Sequence, residues 1–175
     1  MDDYLDEEVQ IANEQDSQGT TLCSESFLDK IHDLTIYPVI SFDENTSLGT
    51  IIDLMQSKNI GSVVLTHNNE LSGILTERDI LMKVIGKFDN WQDIKANEVM
   101  THSPQALRKS DEIAYALNNM HVGGFRHIPI VDENNIPISM VSIKDVVNWI
   151  LDHFPREITN LTGEPFRGKP TREGG

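Results

Sequence analysis

Cysteine is almost absent from the chain, with Cys23 the only one in 175 residues. A single cysteine excludes an intrachain disulfide. Long apolar runs are also missing: no stretch approaches the ~20 residues that a membrane-spanning helix needs. The acidic N-terminus lacks the apolar segment of a secretory signal. We therefore expect a cytoplasmic protein with no membrane association.

Basic residues are scarce as well. The chain has 14 Lys and Arg against 28 Asp and Glu, a net charge of −14, and no basic residue precedes Lys30. Nucleic-acid binding needs Lys and Arg along the phosphates, and docking on an anionic membrane needs them too, so neither is expected. An anionic ligand would need a local basic pocket against this background field.

A short segment occurs twice. Thr76–Leu81 is repeated 66 positions later as Ser142–Val147. Both copies read hydroxyl residue, any residue, basic residue, aspartate, then two aliphatic residues, and both follow an aliphatic run. Internal repetition of this kind indicates a duplicated structural unit.

The patterns around each copy predict the same order of elements, β-α-β-β-α, and hence an α/β fold. A unit of about 50–60 residues buries too little surface alone, so we expect two units packed about a pseudo-two-fold axis, with ligand clefts between them. The predicted segments are a flexible acidic tail (1–26), a first unit that opens with a short helix (27–86), a polar connector (87–98), a second unit (99–154) and a C-terminal tail (155–175).

The repeated motif has two interpretations. In the first, Thr76–Asp79 and Ser142–Asp145 are helix caps, in which the hydroxyl accepts from a backbone N–H and the acid reaches back. Asp is shorter than Glu or Gln and should close this box poorly. In the second, the hydroxyl and carboxylate at a helix start bind the vicinal hydroxyls of a sugar.

The chain resembles a tandem pair of CBS (cystathionine-β-synthase) domains, a Bateman module, over roughly Leu28 to Phe154. The segments that carry the resemblance are Asn59–Leu65, Gly73–Asp79, Val99–Thr101, Gly124–Asp132 and Ser139–Asp145. Each segment alone is a weak signal, but two sets in the same order at matching offsets are a strong one.

The resemblance implies binding of adenosyl ligands: AMP, ADP, ATP, NAD or S-adenosylmethionine. It implies that Asp79 and Asp145 hold the ribose beside Thr76 and Ser142. It places Arg126 and His127 at the phosphates of the Asp145 cleft, so we predict that a phosphorylated adenosine prefers this cleft. The lead-in segments 35–40 and 101–105 would enclose the adenine of the Asp145 and Asp79 clefts, respectively.

The predicted function is a non-catalytic regulatory module that senses a metabolite or the energy state and signals to an effector protein. The alternative is a protein-interaction module with degenerate clefts. No catalytic signature is present, and none of the six histidines shows metal-ligand spacing, so neither an enzyme nor a metal site is expected. The resemblance also implies a homodimer formed through helices, with interface candidates Ile80, Leu81, Val84, Val146, Val147 and Ile150.

Overall fold

A computed structural model describes residues 28–34 and 36–153. The predicted tails, 1–26 and 155–175, lie outside these residues. The strands are β1 (Ser41–Asp43), β2 (Ser62–His67), β3 (Glu70–Thr76), β4 (Thr101–His102), β5 (His127–Val131) and β6 (Pro137–Ser142). The helices are α1 (Leu48–Lys58), α2 (Glu77–Asp79, continued by a π-helical segment Ile80–Val84), α3 (Ile113–Gly123) and α4 (Ile143–His153), with short 3-10 turns at Ile31–Asp33, Trp91–Asp93 and Ala96–Glu98.

The two units have the same strand arrangement, as the repeat predicts. In the first unit β1 runs parallel to β2, and β2 and β3 form an antiparallel hairpin. In the second unit β5 and β6 form the matching hairpin, and Leu107 pairs with Ile130 in parallel, in the place of β1. The predicted turn of the first hairpin is present, with Asn68 and Asn69 at positive φ, a conformation that Asn tolerates.

The lead-in segments cross between the units. β4, at the start of the second unit, pairs with β3 of the first. Pro38, at the start of the first unit, pairs with Ser139 of the second. The two exchanges are reciprocal, as a pseudo-two-fold arrangement requires, and they tie each unit's sheet to the other.

The hydrophobic cores cross in the same way. Ile31 and Leu34 pack in the core of the second unit, and Val99 and Met100 pack in the core of the first. Ala96, in the segment expected to be a polar connector, is fully buried in the first core. The segment boundaries drawn along the sequence therefore divide residues that belong to a common packing unit.

Most predicted helix positions are confirmed. Met55 on α1 and Met120 on α3 are buried, and Gly124 ends α3 with φ +65°. The N-cap residue of α1 is Ser47. The predicted helix from Phe27 is present only as the turn Ile31–Asp33, and Phe27 itself lies outside the described residues.

The helices that follow the two motifs differ. α4 is a regular helix of 11 residues, whereas α2 changes after one turn into the π-helical segment, closed by a 3.1 Å hydrogen bond from Ile85 N to Ile80 O. Two of the interface candidates are wrong: Val84 and Val146 are 0% exposed because they face their own cores. Ile80 and Ile150 are half-buried, while Leu81 and Val147 are exposed.

Candidate functional site

Both repeated motifs form closed caps. The Thr76 N–H donates to Asp79 Oδ2 at 3.0 Å, and the Asp79 N–H donates back to Thr76 Oγ1 at 3.2 Å. The Ser142 and Asp145 distances are 2.7 and 3.3 Å. The expectation that the short aspartate would close the box poorly is wrong, because in both copies each hydroxyl also donates to the carboxylate, at 2.7 Å.

Asp79 has partners beyond its cap. Its Oδ1 accepts from Thr101 Oγ1 at 3.0 Å and lies 2.7 Å from Lys83 Nζ. Burial raises the pKa of this carboxyl, but hydrogen bonds from Lys83, Thr76 and Thr101, together with the Lys83 charge, outweigh burial and leave the pKa below its ordinary value. Asp79 is therefore a buried carboxylate that stays ionised at neutral pH.

A cavity of about 400 Å³ lies against Asp79, between the two units. Three segments line it. The first unit's motif contributes Thr76, Arg78 and Asp79 beside Ile74, the crossing lead-in segment contributes residues 101–105, and the second unit contributes residues 123–127. The predicted lead-in segment is thus confirmed as a wall of the Asp79 cleft.

The placement of Arg126 and His127 needs correction. The resemblance placed both at the phosphates of the Asp145 cleft, but both line the Asp79 cavity. The reason is the packing of the units: the start of β5 lies against the motif of the opposite unit. His127 lies between the two motifs, since it pairs with Ser142 in the β5–β6 hairpin and also lines the Asp79 cavity.

The Asp145 side carries different groups. The three hydrogen bonds described for Asp145 all involve Ser142. The Ser62 hydroxyl, at the repeat position of His127, contacts the Met140 sulfur across the units at 3.1 Å. The crossing therefore gives the Asp145 side Ser62, whereas the Asp79 side has His127 beside the cationic Arg126. The predicted preference of a phosphate for the Asp145 cleft loses its basis.

Cationic groups converge on one wall of the Asp79 cleft. Arg78 reaches across the units and donates from Nη1 to Gly124 O at 3.1 Å. An adjoining cavity of about 220 Å³ is lined by Arg78, Arg126 and His127, with Glu77 on the same wall. Burial and the Arg126 charge lower the pKa of His127, although Asp145 and Glu77 oppose the shift, so the imidazole is neutral at pH 7.

A family model described as CBS domain matches residues 31–86 and again residues 96–152. The two matches together cover more than half of the chain. The chain belongs to the CBS-domain family.

Relatives among curated proteins agree with this assignment. The CBS pair is 32% identical over 124 residues to an uncharacterized 17.7 kDa protein of Acidianus ambivalens, covering 70% of this chain and 74% of that protein. It is 31% identical to the mitochondrial CBS domain-containing protein CBSX3 of Arabidopsis thaliana, over 66% of this chain and 60% of that protein. It spans only 17% of the Arabidopsis protein CBSCBSPB3, to which it is 32% identical over 54% of this chain.

Solved structures share the fold. The CBS domain protein PAE2072 of Pyrobaculum aerophilum, complexed with AMP, matches 67% of this chain and 89% of that chain, with a TM-score of 0.61 and 23% identity. The CBS domain pair of MJ0100, in complex with 5′-methylthioadenosine and S-adenosyl-L-methionine, covers 70% of this chain and 96% of that chain, with a TM-score of 0.62 and 18% identity. These likenesses place both units of the CBS pair in one known tandem fold.

Sequence reasoning missed two partners of Asp79. Lys83 is four residues after Asp79, a spacing at which helical side chains meet, and this signal was available. Thr101 lies in the segment that the resemblance placed at the Asp79 cleft, but its hydrogen bond to Asp79 depends on the pairing of β4 with β3. Gly73, the glycine before the motif, serves packing: a Cβ there would overlap the Met100 thioether.

Neither a metal-ion cluster nor a membrane-spanning helix is found within residues 28–34 and 36–153. These residues contain no group of three or more His, Cys, Asp or Glu side chains that could hold a metal ion. No helix within the same ranges is both long and apolar enough to cross a membrane.

Proposed function

We propose that this CBS pair is a non-catalytic regulatory module that binds an adenosyl ligand of the AMP, ADP or ATP class in the Asp79 cleft. One observation carries the proposal. The buried, ionised carboxylate of Asp79 in the first unit faces the same cavity as Arg126 of the second unit, and Arg78 of the first unit adds a second cation. The carboxylate can accept hydrogen bonds from the ribose hydroxyls, and the cationic side chains can bind the phosphate.

The chemistry fits a nucleotide in two parts. Vicinal ribose hydroxyls are donors, and a carboxylate accepts two such bonds at the strength of charge-assisted pairs. Arg78 and Arg126 offer planar donors to phosphate, which matter more in a chain whose net charge of −14 repels anions elsewhere. The cavity of about 400 Å³ lies within the usual range of ligand sites.

The ligands bound in two solved relatives narrow the choice of candidate ligands for this cleft. PAE2072 is complexed with AMP, and MJ0100 with 5′-methylthioadenosine and S-adenosyl-L-methionine. The cationic wall of the Asp79 cleft repels a sulfonium and attracts a phosphate. We therefore favour AMP, ADP or ATP, with NAD as a further candidate, over S-adenosylmethionine in this cleft.

The regulatory role follows from where the cleft lies. A ligand held by Asp79 of one unit and Arg126 of the other bridges the two units, so binding energy can shift their relative position. Leu81 and Val147 are exposed apolar side chains on α2 and α4, the last helix of each unit. We propose these helices as the contact to a second copy of the chain or to an effector protein.

The test is titration of AMP by calorimetry into the wild type, Asp79→Asn and Asp145→Asn. Asp79→Asn should weaken binding about tenfold or more, because it removes a charged acceptor of the ribose hydroxyls. Asp145→Asn is the matched control, since it changes the same cap position in the other unit, and should have a smaller effect. Equal losses in both variants would contradict the assignment to the Asp79 cleft.

The second candidate function is an interaction module that holds no ligand. It is favoured by the Lys83–Asp79 contact, which already occupies the carboxylate. Thermal shift separates the two functions: a ligand at ~100 times its Kd adds about 2.7 kcal/mol of stability. No shift with any adenosyl compound, and no small molecule retained on mass spectrometry of gently purified protein, would favour the interaction module.

A further inference from the structure

Both carboxylate oxygens of Asp79 are occupied by the protein's own donors. Oδ2 accepts from the Thr76 backbone N–H and hydroxyl. Oδ1 accepts from Thr101 Oγ1 at 3.0 Å and lies 2.7 Å from Lys83 Nζ. A ribose that donates hydrogen bonds to this carboxylate must displace at least one of these donors.

Of these donors, Lys83 is the one that can leave. Thr76 is fixed by the cap, and Thr101 by the pairing of β4 with β3. The Lys83 side chain is 40% exposed, and its Nζ also donates to Met100 O at 3.1 Å. Nζ also lies 3.3 Å from Thr101 Oγ1, so an ammonium displaced from Asp79 keeps two acceptors and gains water. Its release therefore leaves no buried charge unpaired.

The contact belongs to one unit only. The repeat places Trp149 at the position of Lys83, and Trp149 packs in the second core. Lys83 also lies in the π-helical segment, whereas the matching part of α4 is a regular helix. π-Helical turns often occur at functional sites because they re-aim a side chain.

We propose that Lys83 gates the Asp79 cleft by competing with the ligand's ribose hydroxyls for Asp79 Oδ1. The proposal rests on the proposed function. Binding exchanges the Lys83–Asp79 ion pair for ribose–Asp79 hydrogen bonds, so the ion pair lowers affinity for any ribose.

The test measures the affinity of adenosine for the wild type, Lys83→Met and Lys83→Arg. Adenosine carries no charge, so loss of a cation does not weaken its binding by long-range attraction. Lys83→Met should bind adenosine about tenfold more tightly than the wild type, the scale of one charge-assisted hydrogen bond. Lys83→Arg keeps a cation in reach of Asp79 and should stay within about twofold of the wild type.

Two controls separate competition from a general change of structure. The first is 2′-deoxyadenosine, which lacks one hydroxyl of the pair. Its affinity should change little in Lys83→Met. The second is Lys87→Met, which removes an exposed lysine just beyond the same segment and should leave adenosine binding unchanged.

The outcomes separate the gate from the proposed function. Adenosine binding by the wild type with equal or weaker binding by Lys83→Met would overturn the gate and leave the function standing. An equal gain for 2′-deoxyadenosine would also overturn the gate. Binding by Lys83→Met alone would support both, and no binding of adenosine or AMP by either protein would overturn both.

Discussion

Asp79 and Asp145 show how neighbours set the chemistry of one residue type. Both close the same cap, with the same hydroxyl donor. Only Asp79 gains Thr101 and Lys83, the former through the crossing of β4 and the latter through the π-helical segment. The same side chain at the same motif position is therefore a cap in one unit and the centre of a charged network in the other.

The ionisation of Asp79 should also make the free energy of unfolding depend on pH. Its folded-state pKa lies below the ordinary value of 3.8, so its contribution is fully present above that value and is lost as the pH falls through the lowered pKa. At pH 7, Asp79→Asn should cost about 1.5–3 kcal/mol, the scale of hydrogen bonds to a charged group. This difference from the wild type should shrink as the pH falls below about 4.

Urea unfolding at pH 7, 5 and 3.5 measures this dependence. Asp53→Asn, on the exposed face of α1, is the control for removal of one negative charge. A stability difference between Asp79→Asn and the wild type that stays constant down to pH 3.5 would count against an ionised Asp79 as a stabilising group.

Among the elements, the short turn Ile31–Asp33 contributes to the core of the second unit. Ile31 is 0% exposed, and it lies in the core of the second unit although it stands at the start of the first unit in the sequence. Its position is fixed by the Ile31 N–H bond to Asp111 O at 2.9 Å and by the Ile113 N–H bond to Asp29 O at 2.9 Å. The turn is therefore part of the second unit's structure.

Truncation of Ile31 should destabilise the protein. Ile31→Ala removes a fully buried side chain and should cost about 2–5 kcal/mol through lost burial and the cavity left behind. Leu28→Ala, at a side chain that is 53% exposed, is the control and should cost less than about 0.5 kcal/mol. Thermal unfolding of the two variants provides the comparison, and similar losses in both would show that the turn does not hold the second core.

At the scale of the whole molecule, the two units are interlocked. Each supplies its lead-in residues to the other's core and one strand or bridge to the other's sheet. Domains that share a core in this way unfold together, because neither core stays complete when the other opens. The cleft between the units is then part of one structure that unfolds cooperatively.

Two tryptophans can report this coupling. Trp91 packs against the first core, and Trp149 lies in the second. In Trp149→Phe the fluorescence follows the first unit, and in Trp91→Phe it follows the second. In each variant the fluorescence transition should coincide with the circular-dichroism transition of the same protein. A fluorescence transition that precedes the circular-dichroism transition would indicate that the units unfold separately.

The sequence by itself determined the repeated elements of this protein. Periodicity and turn residues are local properties, so they predicted the order β-α-β-β-α in both units and offered helix caps as one interpretation of the two Thr/Ser–Asp motifs. The family resemblance followed from the same motifs. The π-helical segment was beyond this reasoning, since its apolar pattern also fits the regular helix that was predicted.

Only the tertiary structure decided how the site is composed. Thr101 bonds Asp79, and Arg126 lines the same cavity, because the units cross. The resemblance had assigned the segment 101–105 correctly to the Asp79 cleft, but it had assigned Arg126 and His127 to the Asp145 cleft. The physical reason is that a local pattern records which face of an element is apolar, while the partner of that face is chosen by the burial of both units together.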